Sequence, residues 1–207
     1  SRADAPDRVR ELAELLRGCA VGGPLDHASG RSLDVPLGPV PVLVAGRGDR
    51  MLRTAGAVAD RVLLWAIPDS DLDRSVEVIL DGATGRDEPP ELAWAPLAEH
   101  DEALRASILH VAVYASLNTR SSVRRTWGLD DARVDEIRST LVAGGTAAAV
   151  SRVPEAALDD LLVRDLAPSA VAARARSLGV SSIAVPGYGV DTVAAHLDWA
   201  ATVESAI

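Results

Sequence analysis

Pro39 to Ile67, PVPVLVAGRGDRMLRTAGAVADRVLLWAI, reads as strand, glycine turn, helix and second strand. Val40 to Ala45 is a continuous apolar and mostly β-branched run, the pattern of a strand buried on both faces of a parallel sheet. Gly46 and Gly48 break it, and from Asp49 onward Met51, Leu52, Ala55, Val58 and Ala59 recur at three- and four-residue steps, giving a helix with one buried stripe. A helix that starts directly after glycines offers N–H groups and a partial positive charge to an anion at close range, so the turn could hold a phosphate, with Arg47 and Arg50 adding charge-assisted bonds. The same glycines equally suit any tight strand-to-helix turn.

Outward from this unit, the apolar runs at 40–45, 62–67, 91–98 and 181–186 are the expected strands. A first helix is expected near Pro6, with Val9, Leu12, Ala13, Leu15 and Leu16 on its apolar face. Between the third and fourth strands lie helical patterns at 101–117, 130–143, 154–163 and 168–178, more than one crossover needs. The Ala-Gly tract at 143–150 is an expected break or loop within them. The excursion is a candidate lid or dimer contact, or a layer packed on the sheet. After the last strand, Asp191 is a plausible cap for a final helix ending near Ser205, and Tyr188, Gly187 and Gly189 stand where they could approach a ligand, though turn chemistry explains the glycines as well.

A chain of 207 residues with 48% hydrophobic and 25% charged residues can bury a sizeable core without disulfide or metal, and it reads as one compact domain, 1–207. With no Phe, two Tyr and four Trp, that core falls to Ala, Val and Leu. The formal charge of -9 argues against a nucleic-acid partner. Arg120, Arg124 and Arg125 beside Trp127 form the one local basic group and read as a solvated loop or helix start. No apolar run approaches 18 residues and the start carries no signal-peptide pattern, so no membrane partner is expected and the expected location is the cytoplasm. Ser1 in place of an initiator methionine suits a natural short protein, one half of a split protein or a trimmed product.

Catalytic signatures are sparse. His27, His100, His110 and His196 are scattered and Cys19 is the single cysteine, so neither a zinc site nor an internal disulfide is expected. No nucleophile elbow or Walker-type glycine loop occurs. Asp130-Asp131 and Asp159-Asp160 are expected at helix starts or exposed faces, as caps and solubilising charges. Trp65 and Trp94 belong to expected strands and point either toward a cofactor ring or into the wall, the wall being favoured.

The string AGRGDRMLRTAGAVADRVLL from Ala45 to Leu64 resembles the pattern that follows a mid-barrel strand in the luciferase-like monooxygenases, which include flavin enzymes and deazaflavin, coenzyme F(420), oxidoreductases. Residues 7–35 are similar to the helix and loop that precede this strand, 91–114 to a later strand and its helix, and 166–186 to the final helix and strand. The resemblance implies an α/β fold, part of a (β/α)8 TIM barrel with about four parallel strands and an extra helical excursion before the last. It implies a phosphorylated cofactor, FMN or coenzyme F(420), whose phosphate would fall to Ala45, Gly46, Arg47, Gly48 and the amides near Asp49, Arg50 and Met51. No catalytic residue is assigned.

Two departures stand out. Family members usually carry glycine at the position of Arg61, so the helix exit should differ. A complete barrel needs roughly 250 residues and eight strands, so a half barrel leaves raw sheet edges and an open apolar interior for a second chain, a homodimer, a rearranged sheet or the helices to cover. Two function classes follow: a flavin or deazaflavin oxidoreductase or monooxygenase working by hydride transfer at the cofactor ring, and a noncatalytic or partner-dependent half-barrel scaffold.

Overall fold

The computed structural model describes residues 4–20, 38–98, 102–163, 166–185 and 190–207. In chain order they form α1 (Ala5–Ala20), β1 (Leu43–Ala45), α2 (Asp49–Val58), β2 (Arg61–Trp65), α3 (Asp69–Gly82), β3 (Glu91–Ala95), β4 (Leu97–Ala98), α4 (Glu102–Asn118), α5 (Ser121–Thr126), α6 (Asp131–Val150), α7 (Glu155–Leu161), β5 (Leu162–Val163), α8 (Pro168–Ser177), β6 (Ser182–Ile183) and α9 (Val190–Glu204). The architecture is α/β: four strands hydrogen-bond in the order β1-β2-β3-β6, and β4 pairs separately with β5. Both described registers are parallel, Ala93 opposite Ser182 and Leu97 opposite Leu162. The residues group into two compact units, Ser1–Val62 with Glu77–Glu91, and Leu63–Val76 with Leu92–Ile207.

In the first unit the expected two-sided burial of the leading strand is not found. Val42 and Val44 are buried with Ala13, Leu52, Ala55 and Val58, whereas Leu43 is 52% exposed and Ala45 is exposed. β1 alternates because helices cover one of its faces only. α2 and the end of α3 cross at two glycines. A Cβ on Gly56 would stand 1.9 Å from the Ile79 carbonyl oxygen, and one on Gly82 would stand 2.1 Å from that of Arg53. α2 ends at Ala59 in extended conformation, and Arg61 opens β2 and pairs with Glu91. The non-glycine residue at 61 is thus absorbed by strand geometry without a left-handed backbone.

In the second unit the run expected as one strand over 91–98 divides at Pro96, which has no N–H to give to a ladder. β5 was not anticipated, because two residues at the end of a helical pattern carry no period. The helical excursion builds its own core: Ile108, Ala112 and Ala115 of α4, Val123 of α5, Val134 and Ile137 of α6 and Ala157 and Leu161 of α7 bury one another around Trp127. Trp65 packs against this cluster, the favoured wall position, whereas Trp94 is buried and lines a cavity where β2 and β3 end. The Ala-Gly tract breaks as a kink inside α6, where Gly145 takes φ 73 and ψ -175, and not as a loop.

Candidate functional site

β1 delivers Ala45 to the glycine turn, and α2 leaves it at Asp49. Gly48 is the N-cap, with φ 81 and ψ 146 and no side chain to cap the helix; its carbonyl accepts from Leu52 N at 3.0 Å. That backbone is glycine territory, and a Cβ placed there would meet open space. Gly46 is required for a different reason, since a Cβ there would stand 2.3 Å from Met51 Cγ. Arg47 is half-buried, and desolvation pushes its guanidinium down from the ordinary arginine value. Arg50 is exposed, while Asp49 puts a carboxylate into the first turn of α2. All seven residues from Ala45 to Met51 therefore gather in one turn of the first unit.

The far end of α2 is closed by two arginines from outside the motif. Arg86 Nη1 donates to the Gly56 and Ala59 carbonyls at 2.9 and 2.6 Å, and Arg17 Nη2 donates to the Val58 carbonyl at 2.6 Å. Two cations thus close the C-terminus of α2. Asp60 accepts from Val42 N at 2.8 Å and from Arg17 at 3.0 Å. Burial alone would raise the Asp60 carboxyl, but the Val42 amide and the Arg17 guanidinium outweigh it and hold it below the usual aspartate value.

In the second unit the first turn of α3 is a polar junction. Arg174 of α8 bonds Asp69 at 2.8 Å and Asp73 at 2.9 Å, and Arg120 pairs with the buried Asp71. Asp160 accepts from Ser70 N at 2.9 Å, Ser70 Oγ at 2.6 Å and Trp127 Nε1 at 2.8 Å. The expectation for Asp160 as a solvated charge is corrected: its carboxylate anchors two helices, a role that sequence spacing does not reveal. The basic group stands at a helix start as expected, Arg120 being the N-cap of α5, Arg124 3.6 Å from Asp131 and Arg125 exposed, and Asp130 caps α6 through Arg133 N at 2.9 Å, also as expected. His110 is exposed and meets Tyr114 with the rings tilted and their centroids 5.2 Å apart. His27, His100, Gly187, Tyr188 and Gly189 lie outside the described residues. Among the described residues, no cluster of His, Cys, Asp and Glu could hold a metal, and no helix is long and apolar enough to cross a membrane.

Comparisons with known proteins bear on the fold and the family. A 5,10-methylenetetrahydromethanopterin reductase of Methanopyrus kandleri is 26% identical over 163 aligned residues, covering 71% of this chain and 46% of that protein. The chain thus spans about half the length of that curated relative. The structure of the coenzyme F(420) dependent tetrahydromethanopterin reductase from the same organism superposes with a TM-score of 0.60 at 19% identity, covering 95% of this chain and 60% of that one, a likeness of fold. A family model described as luciferase-like monooxygenase matches residues 1–178. With most of its length so matched, this chain belongs to the luciferase-like monooxygenase family.

Proposed function

We propose that the chain is the cofactor-phosphate-binding part of a flavin or deazaflavin oxidoreductase, with Gly46, Arg47, Gly48 and the start of α2 at Asp49 to Met51 holding the phosphate of FMN or coenzyme F(420). The observation that carries this reading is Gly48, a left-handed N-cap with open space beside it at the start of a helix. The positive end of α2 and the partly desolvated Arg47 favour an anion there, and Arg50 stands at the same turn. When bound, the cofactor ring accepts or gives a hydride, and this chain's part is to fix the phosphate and so the position of the ring. The reductase relatives favour the deazaflavin and hydride transfer over oxygen insertion. A fluorescence titration with FMN and with coenzyme F(420) tests the reading. Micromolar binding of one of them, lost in Gly48→Asp, supports it; no binding at high micromolar concentration overturns it.

A second reading, a half barrel that needs a homodimer partner or a second chain, is favoured by Leu43. Val40 at 36% and Leu43 at 52% exposure leave apolar side chains of the first strand run uncovered. The mass of the chain in solution separates the two, since a strict monomer that binds cofactor leaves no need for a partner.

A further inference from the structure

Asp60, between the end of α2 and the start of β2, meets Val42 twice. Its N–H donates to the Val42 carbonyl at 2.9 Å, and its carboxylate Oδ2 accepts from Val42 N at 2.8 Å. Arg61 N also donates to the Val42 carbonyl, at 3.2 Å. The Asp60 side chain thereby completes a two-way pairing of the kind a neighbouring strand gives, at the residue that leads into β1. Its other oxygen, Oδ1, accepts from Arg17 of α1 at 3.0 Å, and the Asp60 carbonyl accepts from Glu91 N of β3 at 3.0 Å. The first unit thus ties α1, the lead of β1, the end of α2 and the start of β3 to one aspartate.

The backbone bonds to the Val42 carbonyl meet at a single oxygen, and bonds that share one atom leave rotation about it. The carboxylate bond to Val42 N supplies a second point, which sets the angle between β1 and α2. That angle decides where the other end of the unit lies. α2 has 10 residues, about 15 Å of helix, so a tilt of about 10° at Asp60 would carry its start by about 2.6 Å. Hydrogen bonds to an anion tolerate only a fraction of that, since donor and acceptor must stay between about 2.7 and 3.2 Å. At the start itself Gly48 brings no side-chain cap. Burial works against the charge on Asp60, but the Val42 amide and Arg17 outweigh it, so the carboxylate stays ionised and both of its oxygens stay acceptors.

We infer that Asp60 is a positioning residue for the glycine turn: by fixing the lead of β1 against the end of α2, it sets where Gly46, Gly48 and the first amides of α2 stand. The consequence for cofactor binding rests on the phosphate-binding reading of that turn, whereas the placement of the turn does not.

Proton–nitrogen correlation spectra of the full chain test the placement, and fluorescence titration with FMN and with coenzyme F(420) tests its consequence. Asp60→Ala should shift the Gly46 and Gly48 amide resonances and weaken binding of whichever cofactor the native chain takes by about three- to tenfold, the worth of one hydrogen bond. Asp81→Ala is the control: it removes an exposed ion pair of the same helix, Arg53 with Asp81 at 2.9 Å, and should leave both readouts as in the native chain. A folded Asp60→Ala with both glycine amides unmoved, the same shifts in Asp81→Ala, or native affinity in a variant whose amides have moved would each overturn the inference. Should Asp60→Ala not fold, Asp60→Asn leaves one acceptor oxygen between Val42 N and Arg17 and should move the same amides by less. Unmoved amides in that variant would overturn the inference as well. A native chain that binds neither cofactor would overturn the phosphate-binding reading alone, with the amide shifts still deciding the placement.

Discussion

Arg174 grips Asp73 with both ends of its guanidinium, Nη1 at 3.2 Å from Oδ1 and Nη2 at 2.9 Å from Oδ2. The side-chain bond from Arg174 holds the Asp73 carboxyl below the usual aspartate range, and the same pair raises Arg174. A carboxyl depressed on folding stabilises the protein above its unfolded value, about 3.9, and that stability is lost as pH falls through the lower folded value. The Asp73 side chain is 65% exposed, so solvent screening limits the effect to about 1 kcal/mol or less. Urea unfolding should show Asp73→Asn less stable than the native chain at pH 7, with the difference smaller at pH 3. An equal difference at both pH values would contradict this.

Gly56→Ala should cost about 1–3 kcal/mol or more, because the new methyl would stand 1.9 Å from backbone and not from a yielding side chain. Thermal melting checks it. Gly85→Ala makes a useful contrast: there a Cβ would meet no neighbour, and any loss would come from its φ of 89 alone.

Trp127→Phe removes the indole donor at 2.8 Å from Asp160 while keeping a ring in a core where Trp127 is 5% exposed. The expected loss is about 1–3 kcal/mol in urea unfolding. Asp160 keeps its two bonds from Ser70, so adding Asp160→Asn to Trp127→Phe should cost less than in the native background.

Asp49 places a carboxylate at the helix start proposed to hold phosphate. Asp49→Asn should tighten cofactor binding by about two- to fivefold, the worth of one half-exposed charge, at a few tenths of a kcal/mol in helix stability. Weaker binding in this variant would mean that the carboxylate contacts the cofactor or orients Arg47 or Arg50.

The strand, turn and helix from Val40 to Val58 were legible because apolar period and glycine punctuation are local signals. The covering of the strand was not: Leu43 and Val44 look alike in sequence, and only the placement of helices decides which is buried. Gly56 read as part of a family string, yet its requirement comes from α3, some 23 residues later in the chain. Asp160 read as a surface charge because its partners, Ser70 and Trp127, are 90 and 33 residues away. The strain at Ala66 has no residue-type signal, since alanine is ordinary at a strand end and only the dihedral shows it.

The most direct test of the central claim is phosphorus NMR of FMN and of coenzyme F(420) added to the native chain and to Gly48→Asp. The phosphate resonance of the bound cofactor should shift and broaden with the native chain and stay at its free position with the variant. A cofactor that binds with its phosphate resonance unmoved, or moved equally by both proteins, would contradict a phosphate site at the glycine turn.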